Sequence, residues 1–333
     1  MWLSKDSIEY IINNVYKYIH DDRLKYNIFT NLNKHVNDRI YTCFFMNYNL
    51  LLKMEEVYNL NDDMGLEYTV GMEINKLLNY CPYFVGTIAY LESNVTGKHV
   101  KPLSFKNVPD KYNVRYLLLQ KMNGSNVDEY NSFSTHMRLF IQIAMGLHLA
   151  YRKIGFTHYN LHHGNVVVEW LDREVVITVD DLSIQTHAVP IIIDYGRSYT
   201  KNTGGHIMES KGVYPESCWQ HDIYLYLCNT LGKSYPKELK KLLKFYNLHY
   251  NRNESLYRQL TVLRQQDPIY RTPKELLHFL EEKFSFVPIY NKKNIVVYKP
   301  SNVFHNGDVN IVKLKNPDDS DLSDMKKIIK KYK

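Results

Sequence analysis

Glycine is scarce in this chain and is absent from its first 64 residues. Only 14 of the 333 residues are glycine, and Gly65 is the first of them. A glycine-rich loop brings its backbone N–H groups close to phosphate oxygens, because residues without a Cβ leave room and tolerate positive φ. The scarcity therefore excludes a glycine-rich phosphate-binding loop from the N-terminal part of the chain.

Cysteine is also scarce, and long apolar runs are missing. The four cysteines, Cys43, Cys81, Cys218 and Cys228, include no C-x-x-C pair. This spacing indicates neither a disulfide framework nor a zinc ribbon and favours a reducing compartment. The charged N-terminus lacks the apolar core of a signal peptide, and no apolar run reaches the roughly 18 residues that a membrane span requires. We therefore expect an intracellular, cytoplasmic protein without a membrane span.

Charge of one sign is not in strong excess. With 44% hydrophobic and 23% charged residues, the composition is that of a globular protein that can form one large core or two small lobes. The net charge of +7 is mild for this length. Five lysines within residues 326–333 follow an acidic run and are typical of a solvated terminal helix. We predict no nucleic-acid partner apart from a contact through this basic tail.

The most informative motif is H-Y-N-L-H-H-G-N at residues 158–165. An apolar strand follows it, and Asp194 comes 29 residues after Asn165 within the sequence I-I-I-D-Y-G. This arrangement resembles the catalytic loop of protein kinases and the magnesium-binding D-F-G turn that comes after it, here D-Y-G. The resemblance implies that Asn165 and Asp194 bind Mg²⁺, for which amide and carboxylate oxygens are suitable ligands.

Two residues of this loop depart from the kinase pattern in ways that bear on catalysis. Asn160 stands where the family has the aspartate that receives the acceptor hydroxyl. An amide oxygen can accept a hydrogen bond from that hydroxyl but cannot take its proton, and a positioned general base is worth about 10²–10⁴ in rate. His162 replaces a lysine that contacts the γ-phosphate, and we expect it to act as a partial cation or as a substitute base.

The resemblance extends to residues that would hold ATP. Lys53 follows an apolar strand and resembles the strand lysine that holds the α- and β-phosphates. Two acids on the helical segment after it, Glu67 and Glu73, are candidates to pair with this lysine. The distance to the next strand favours Glu73, but the spacing leaves both open. Gln120 to Met122 follow a further strand and resemble the hinge that binds adenine, so the implied cofactors are ATP and Mg²⁺.

Later motifs occur in the order found in protein kinases. The sequence V-Y-P-E ending at Glu216 resembles the A-P-E motif, Asp222 resembles the aspartate that braces the catalytic loop, and the segment from Asp267 to Leu277 resembles the last kinase subdomain. This order predicts an α+β, bilobal protein-kinase-like fold with a small β-rich N-lobe and a larger, mainly helical C-lobe. The predicted boundaries are 1–40 for an N-terminal helical extension, 41–122 for the N-lobe, 123–285 for the C-lobe, and 286–333 for a C-terminal appendix with the basic tail.

Local patterns predict the elements around the loop. Ser134 to Ile154 is apolar all round and predicts a buried helix. Val166–Trp170 and Val175–Val179 predict two strands, Asp180 to Ala188 a long connection, and Val287 to Leu314 short strands appended to the body.

Two functions remain open at this point. The chain is either a slow protein serine/threonine kinase acting on a protein substrate, or an inactive pseudokinase that binds or scaffolds a partner protein. A zinc site at His158, His162 and His163 is disfavoured, because Gly164 interrupts the helix that their spacing would need. The abundant Tyr, Asn, Lys and Ile and the H-Y-N-L-H-H-G-N loop resemble kinase-like proteins of large nucleocytoplasmic DNA viruses, which would place the protein in host cytoplasm or in a virion.

Overall fold

The structure is a computed structural model, and it has an α+β architecture with two mainly antiparallel sheets and five helices of ten or more residues among the residues it describes. These residues are 8–13, 34–37, 40–45, 48–56, 63–96, 111–127, 132–203, 216–251, 260, 263, 266–286 and 296–297.

The first sheet has five antiparallel strands in the order β1-β2-β3-β5-β4. Its strands are β1 Lys34–Asn37, β2 Ile40–Phe45, β3 Tyr48–Glu56, β4 Thr87–Thr96 and β5 Lys111–Gln120. Along β3, Leu50, Leu52 and Met54 are buried, whereas Lys53 between them is partly exposed. The alternation follows from the two-residue period of a strand, and it places the Lys53 ammonium group on the side opposite to the apolar residues. Helix α1, Asp63–Asn75, contacts β4 and β5.

The second sheet is built on a long hairpin. Its strands are β6 Ser125–Asn126, β7 Val166–Val179, β8 Leu182–Ile192 and β9 Val296–Val297. Strands β6 and β8 pair with β7 antiparallel, and β9 pairs with it in parallel. The two strands predicted before residue 180 form one continuous strand with a register shift between Trp170 and Val175.

The long connection predicted from Asp180 to Ala188 is wrong. Asp180 and Asp181 make a two-residue turn in which Asp180 has a φ of 52°, and the chain then continues as β8. Aspartate tolerates this conformation, which the tight hairpin turn requires. Gln185 and Thr186 are polar but buried. They interrupt the apolar pattern from which a buried strand is predicted, so the sequence does not indicate β8.

Four helices cover the rest of the described C-terminal half. They are α2 Phe133–Ile154, α3 Trp219–Leu231, α4 Pro236–Phe245 and α5 Pro273–Phe284. The buried helix predicted from Ser134 to Ile154 is confirmed by α2, which packs against β7, β8, α3 and α5. Its ends are specified locally. The Ser132 side chain accepts a hydrogen bond from the Thr135 N–H, and Gly155 ends the helix with a φ of 64°.

The predicted terminal segments are described only in part. Residues 8–13 are helical, and Ile8 and Ile11 join the main hydrophobic core. Of the predicted appendix, the structure describes only Phe286 and strand β9, and the basic tail lies outside the described residues. Among the helices that are described, none combines the length and the apolar content that crossing a membrane requires.

Candidate functional site

Lys53 joins three elements that are far apart in the sequence. Its Nζ atom lies 2.6 Å from Oε2 of Glu67 on α1 and 2.9 Å from Oδ1 of Asp194, which follows β8. Glu67 is 2% exposed, so its carboxylate depends on this lysine for charge neutralisation. The structure thus brings together the predicted lysine, one of the two candidate acids and the predicted metal-binding aspartate.

Glu67, and not Glu73, is the acid that contacts Lys53. The Glu73 carboxylate instead lies 2.6 Å from Nζ of Lys76 and accepts a hydrogen bond of 2.9 Å from Nδ2 of Asn202. The preference for Glu73 is wrong for a geometric reason. The prediction counts residues back from the next strand, but helix α1 ends at Asn75 and turns fill residues 76–80. The distance to that strand therefore does not show which acid faces Lys53. Residues six positions apart lie on different faces of a helix.

Burial and charge pairing oppose each other at Lys53 and its two acids, and burial prevails only at Glu67, where it raises the pKa. Burial works against the charged form of this lysine, but the carboxylates of Glu67 and Asp194 outweigh burial and raise the pKa of Lys53. Burial acts on Asp194 in the opposite sense, and the ammonium group of Lys53 overcomes it and holds the pKa of that carboxyl below its usual range. At neutral pH the site therefore holds a charged lysine next to an ionised Asp194.

The backbone of the predicted catalytic loop is held by Asp222. Its Oδ2 accepts a hydrogen bond of 2.7 Å from the His158 N–H, and its Oδ1 accepts one of 2.9 Å from the Tyr159 N–H. Asp222 is 1% exposed and lies in the first turn of α3. The bracing role predicted for this aspartate is confirmed by these two bonds. His158 adds a third tie, because its Nε2–H donates to the Ile193 carbonyl at 2.9 Å.

Asn160 and Asn165 are joined by a hydrogen bond. Nδ2 of Asn165 donates to the backbone carbonyl of Asn160 at 2.9 Å. The backbone carbonyl of Asn165 accepts a bond of 3.0 Å from the Ile193 N–H, which places Asn165 beside the residue that precedes Asp194. With its amide nitrogen engaged, the amide oxygen of Asn165 is the atom suited to a cation. The carboxylate of Asp194, which follows β8, and the amide oxygen of Asn165, which precedes β7, are the kind of hard oxygen ligands that Mg²⁺ prefers.

His162 is poorly placed for either predicted role. Its Nδ1 accepts a hydrogen bond of 3.1 Å from the Gly164 N–H. Burial, helped by the neighbouring His163 and His158, lowers the pKa of His162. A neutral imidazole with Nδ1 as acceptor carries its proton on Nε2, so it offers neither a full positive charge nor a free lone pair. Its use as a base would first require a change of tautomer.

The predicted hinge residues differ in what they contact. Oε1 of Gln120 accepts a hydrogen bond of 3.1 Å from the Gly86 N–H, and the Gln120 N–H donates to the Gly86 carbonyl at 2.9 Å. Gln120 is therefore engaged in holding two chain segments together. Met122 follows the end of β5, and its partly buried side chain packs against the hydrophobic core.

An open cleft of about 230 Å³ lies at the Lys53 cluster, which is slightly smaller than the usual volume of a small-molecule site. It is lined by Lys53, Met54, Glu55, Met64, Glu67, Asn160, Asp194, Gly196 and Arg197. Lys53, Asn160 and Asp194 therefore share one cleft, whereas Asn165, His162, Gln120 and Met122 are not among its lining residues.

Two residues of this region escape the sequence analysis. Tyr195 is fully buried, and its hydroxyl donates to the Val85 carbonyl at 3.0 Å, which fixes the turn in which Asp194 has a φ of 66°. Arg197 lines the cleft with an exposed side chain. The D-Y-G motif shows that a turn is present, but the long-range partner of Tyr195 has no local signature.

Comparisons with known proteins give a distant relationship. No protein-family model matches the chain. It is 24% identical over 236 residues to a protein of Invertebrate iridescent virus 3 named "Probable kinase 098L". The match covers 66% of this chain and 42% of that protein, so the chain spans less than half of the relative's length. The chain is thus distantly similar to a viral protein that is described as a probable kinase.

Proposed function

We propose that this chain is a kinase-like protein that binds ATP with Mg²⁺ in the Lys53 cleft and transfers the γ-phosphate slowly to protein serine or threonine residues. The observation that carries the proposal is the contact of Lys53 with both Glu67 and Asp194. A lysine held between a helix acid and the aspartate after an apolar strand has the arrangement that phosphoryl transfer requires. The distant similarity to a probable kinase supports the same class of activity.

Each group in the cleft or next to it has a separate task in this proposal. Lys53 contacts the α- and β-phosphates, and Glu67 orients its ammonium group. Asp194 and Asn165 hold Mg²⁺ through their side-chain oxygens, and the bound metal supplies neutralising charge at the phosphates. We place the adenine hydrogen bonds at the backbone around Met122, because both the amide oxygen and the N–H of Gln120 are already engaged by Gly86.

Asn160 sets the rate in this proposal. Its side-chain oxygen orients the acceptor hydroxyl but does not remove the proton, and the neutral His162 beside it offers no free lone pair at Nε2. The loose transition state of phosphoryl transfer makes early removal of the proton less important. Slow transfer is therefore compatible with the cleft.

A pseudokinase is the second candidate. Asn160 favours it, because the amide side chain cannot take the proton of an acceptor hydroxyl. The first strands also contain no glycine-rich lid over the phosphates. In this case the body serves as a surface for a partner protein, and the nucleotide is optional.

The experiment that tests the proposal measures binding and transfer separately. Binding of Mg²⁺–ATP is followed through the melting temperature, and transfer is followed with radiolabelled ATP on a generic protein substrate and on the chain itself. We expect nucleotide binding by the wild-type chain and faster transfer, by about 10²-fold or more, in Asn160→Asp. Adding Asp194→Ala to that variant is the matched control and should abolish transfer. Binding without transfer in either chain identifies a pseudokinase, and the absence of binding overturns the proposal.

A further inference from the structure

Arg197 occupies a fixed position at the cleft. It follows the D-Y-G turn between two fully buried residues, Tyr195 and Ser198. The Ser198 N–H donates to the Tyr195 carbonyl at 2.9 Å, and the Ser198 hydroxyl donates to the His158 carbonyl at 3.2 Å. Tyr195 is anchored in turn on the Val85 carbonyl. The backbone of Arg197 is therefore held on both sides, while its side chain is exposed and lines the cleft.

Of the two cations that line the cleft, Arg197 is the one that no carboxylate of the described residues holds. The lining residues include two cations, Lys53 and Arg197, and three acids, Glu55, Glu67 and Asp194. Lys53 is held by two of these acids. Within the described part of the chain, Arg197 forms no ion pair. Its charge nevertheless reaches the loop, since it contributes to the lowered pKa of His162.

An anionic ligand would find few other donors at this cleft. The lining acids outnumber the lining cations, so a triphosphate meets a locally negative surface unless further cations take part. No glycine precedes Gly65 in the sequence, so a lid of backbone N–H groups from the first strands cannot supply the missing donors. A guanidinium group presents several N–H donors in a planar fork that matches phosphate oxygens.

We propose that Arg197 binds the terminal phosphate of the nucleotide and takes over the part of a glycine-rich lid that this chain lacks. The inference rests on the proposed function, since it concerns the same cleft, and it adds a residue and a ligand class. The ligand is a nucleoside triphosphate, which the arginine distinguishes from a nucleoside monophosphate. Arg197 shares the cleft with Asn160, where the acceptor hydroxyl is expected, so the terminal phosphate would lie between the two side chains.

The test compares equilibrium binding of ATP, ADP and AMP by calorimetry in the presence of Mg²⁺. Arg197→Ala should weaken ATP binding by about 10-fold, the effect of losing charge-assisted hydrogen bonds, and leave AMP binding unchanged. Arg197→Lys keeps the charge but loses the fork and should retain part of the preference for ATP. The matched control is Arg152→Ala, because Arg152 is also exposed, pairs with Asp180 at 3.5 Å and does not line the cleft.

The outcomes separate this inference from the proposed function. If Arg197→Ala binds ATP as tightly as the wild-type chain, or loses ATP and AMP to the same extent, the inference is overturned and the proposed function stands. If the folded wild-type chain binds no nucleotide, the proposed function fails and the inference fails with it. The melting temperature of Arg197→Ala without nucleotide should equal that of the wild-type chain, because an exposed side chain without an ion pair contributes little to stability.

Discussion

Among single residues, Lys53 has the largest influence on the cleft. It neutralises the buried Glu67 and also contacts Asp194, so one ammonium group links α1 to the turn after β8. Breaking such a contact leaves a carboxylate without its partner, which is far more costly than an exposed ion pair is favourable. The position of α1 relative to Lys53 is therefore coupled to the ionisation of this lysine and of the acids around it.

The lowered pKa of Asp194 makes an acid-sensitive contribution to stability. Its pKa in the folded chain lies below the usual value because Lys53 favours the ionised form against the effect of burial. The contribution is thus fully present above the ordinary aspartate pKa and is lost as pH falls through the lowered folded value. We expect the wild-type melting temperature to fall more steeply than that of Asp194→Asn between about pH 5 and pH 3.

Asp181→Asn is the control for this pH series, because Asp181 is an exposed aspartate whose contact is with Lys274 and not with Lys53. It should reproduce the wild-type profile. Parallel curves for the wild-type chain and Asp194→Asn would contradict the assignment of the acid-sensitive contribution to Asp194.

Among the helices and strands, α3 holds the backbone of the predicted catalytic loop. Asp222 in its first turn accepts the N–H groups of His158 and Tyr159, so the helix sets the backbone of the loop that carries Asn160 and Asn165. The same loop is tied to the end of β8 through Ile193. The loop therefore takes its shape from two elements that lie later in the chain.

Removal of the Asp222 carboxylate should disturb this loop strongly. Asp222→Ala leaves two buried N–H groups without acceptors, and each such group costs about 1–3 kcal/mol. We expect the free energy of unfolding in urea to fall by about 2–4 kcal/mol. Asp222→Asn keeps one acceptor oxygen and should lose less. Equal stability of the alanine variant and the wild-type chain would show that the loop is held by other contacts.

The second sheet is connected through the backbone to the segment that leads into β4 of the first sheet. Ile192 in β8 donates to the Tyr83 carbonyl at 2.9 Å and accepts from the Val85 N–H at 3.0 Å, and the hydroxyl of Tyr195 binds the Val85 carbonyl. The hydrophobic core is continuous and includes residues from both sheets and from α2. Cooperative unfolding is the consequence of such shared packing.

We therefore expect the described body to unfold in one transition. Far-ultraviolet circular dichroism, which reports secondary structure, and tryptophan fluorescence, which reports the surroundings of residues such as the partly buried Trp219, should give the same midpoint in urea. Separate midpoints would mean that the sheets unfold independently and that the contacts of Ile192 are too weak to couple them.

Local sequence determines much of this protein because its signals act over short distances. The apolar run of α2, its cap at Ser132 and the glycine that ends it at Gly155 are readable without tertiary contacts. The D-Y-G turn and the H-Y-N-L-H-H-G-N loop likewise mark the positions of Asp194 and Asn160. The bracing bonds of Asp222 are confirmed although their partners lie 63 and 64 positions away, because their prediction follows from a resemblance in the order of the motifs and not from a local pattern.

Packing decides what local patterns leave open. The choice between Glu67 and Glu73 depends on where α1 ends and on which of its faces meets Lys53, and neither is encoded in the spacing of acids. Strand β8 is specified by its pairing with β7 and not by its composition. The structure alone shows that Lys53 is held by two carboxylates whereas Arg197 pairs with no acid among the described residues, because charge balance is a property of residues that meet in space.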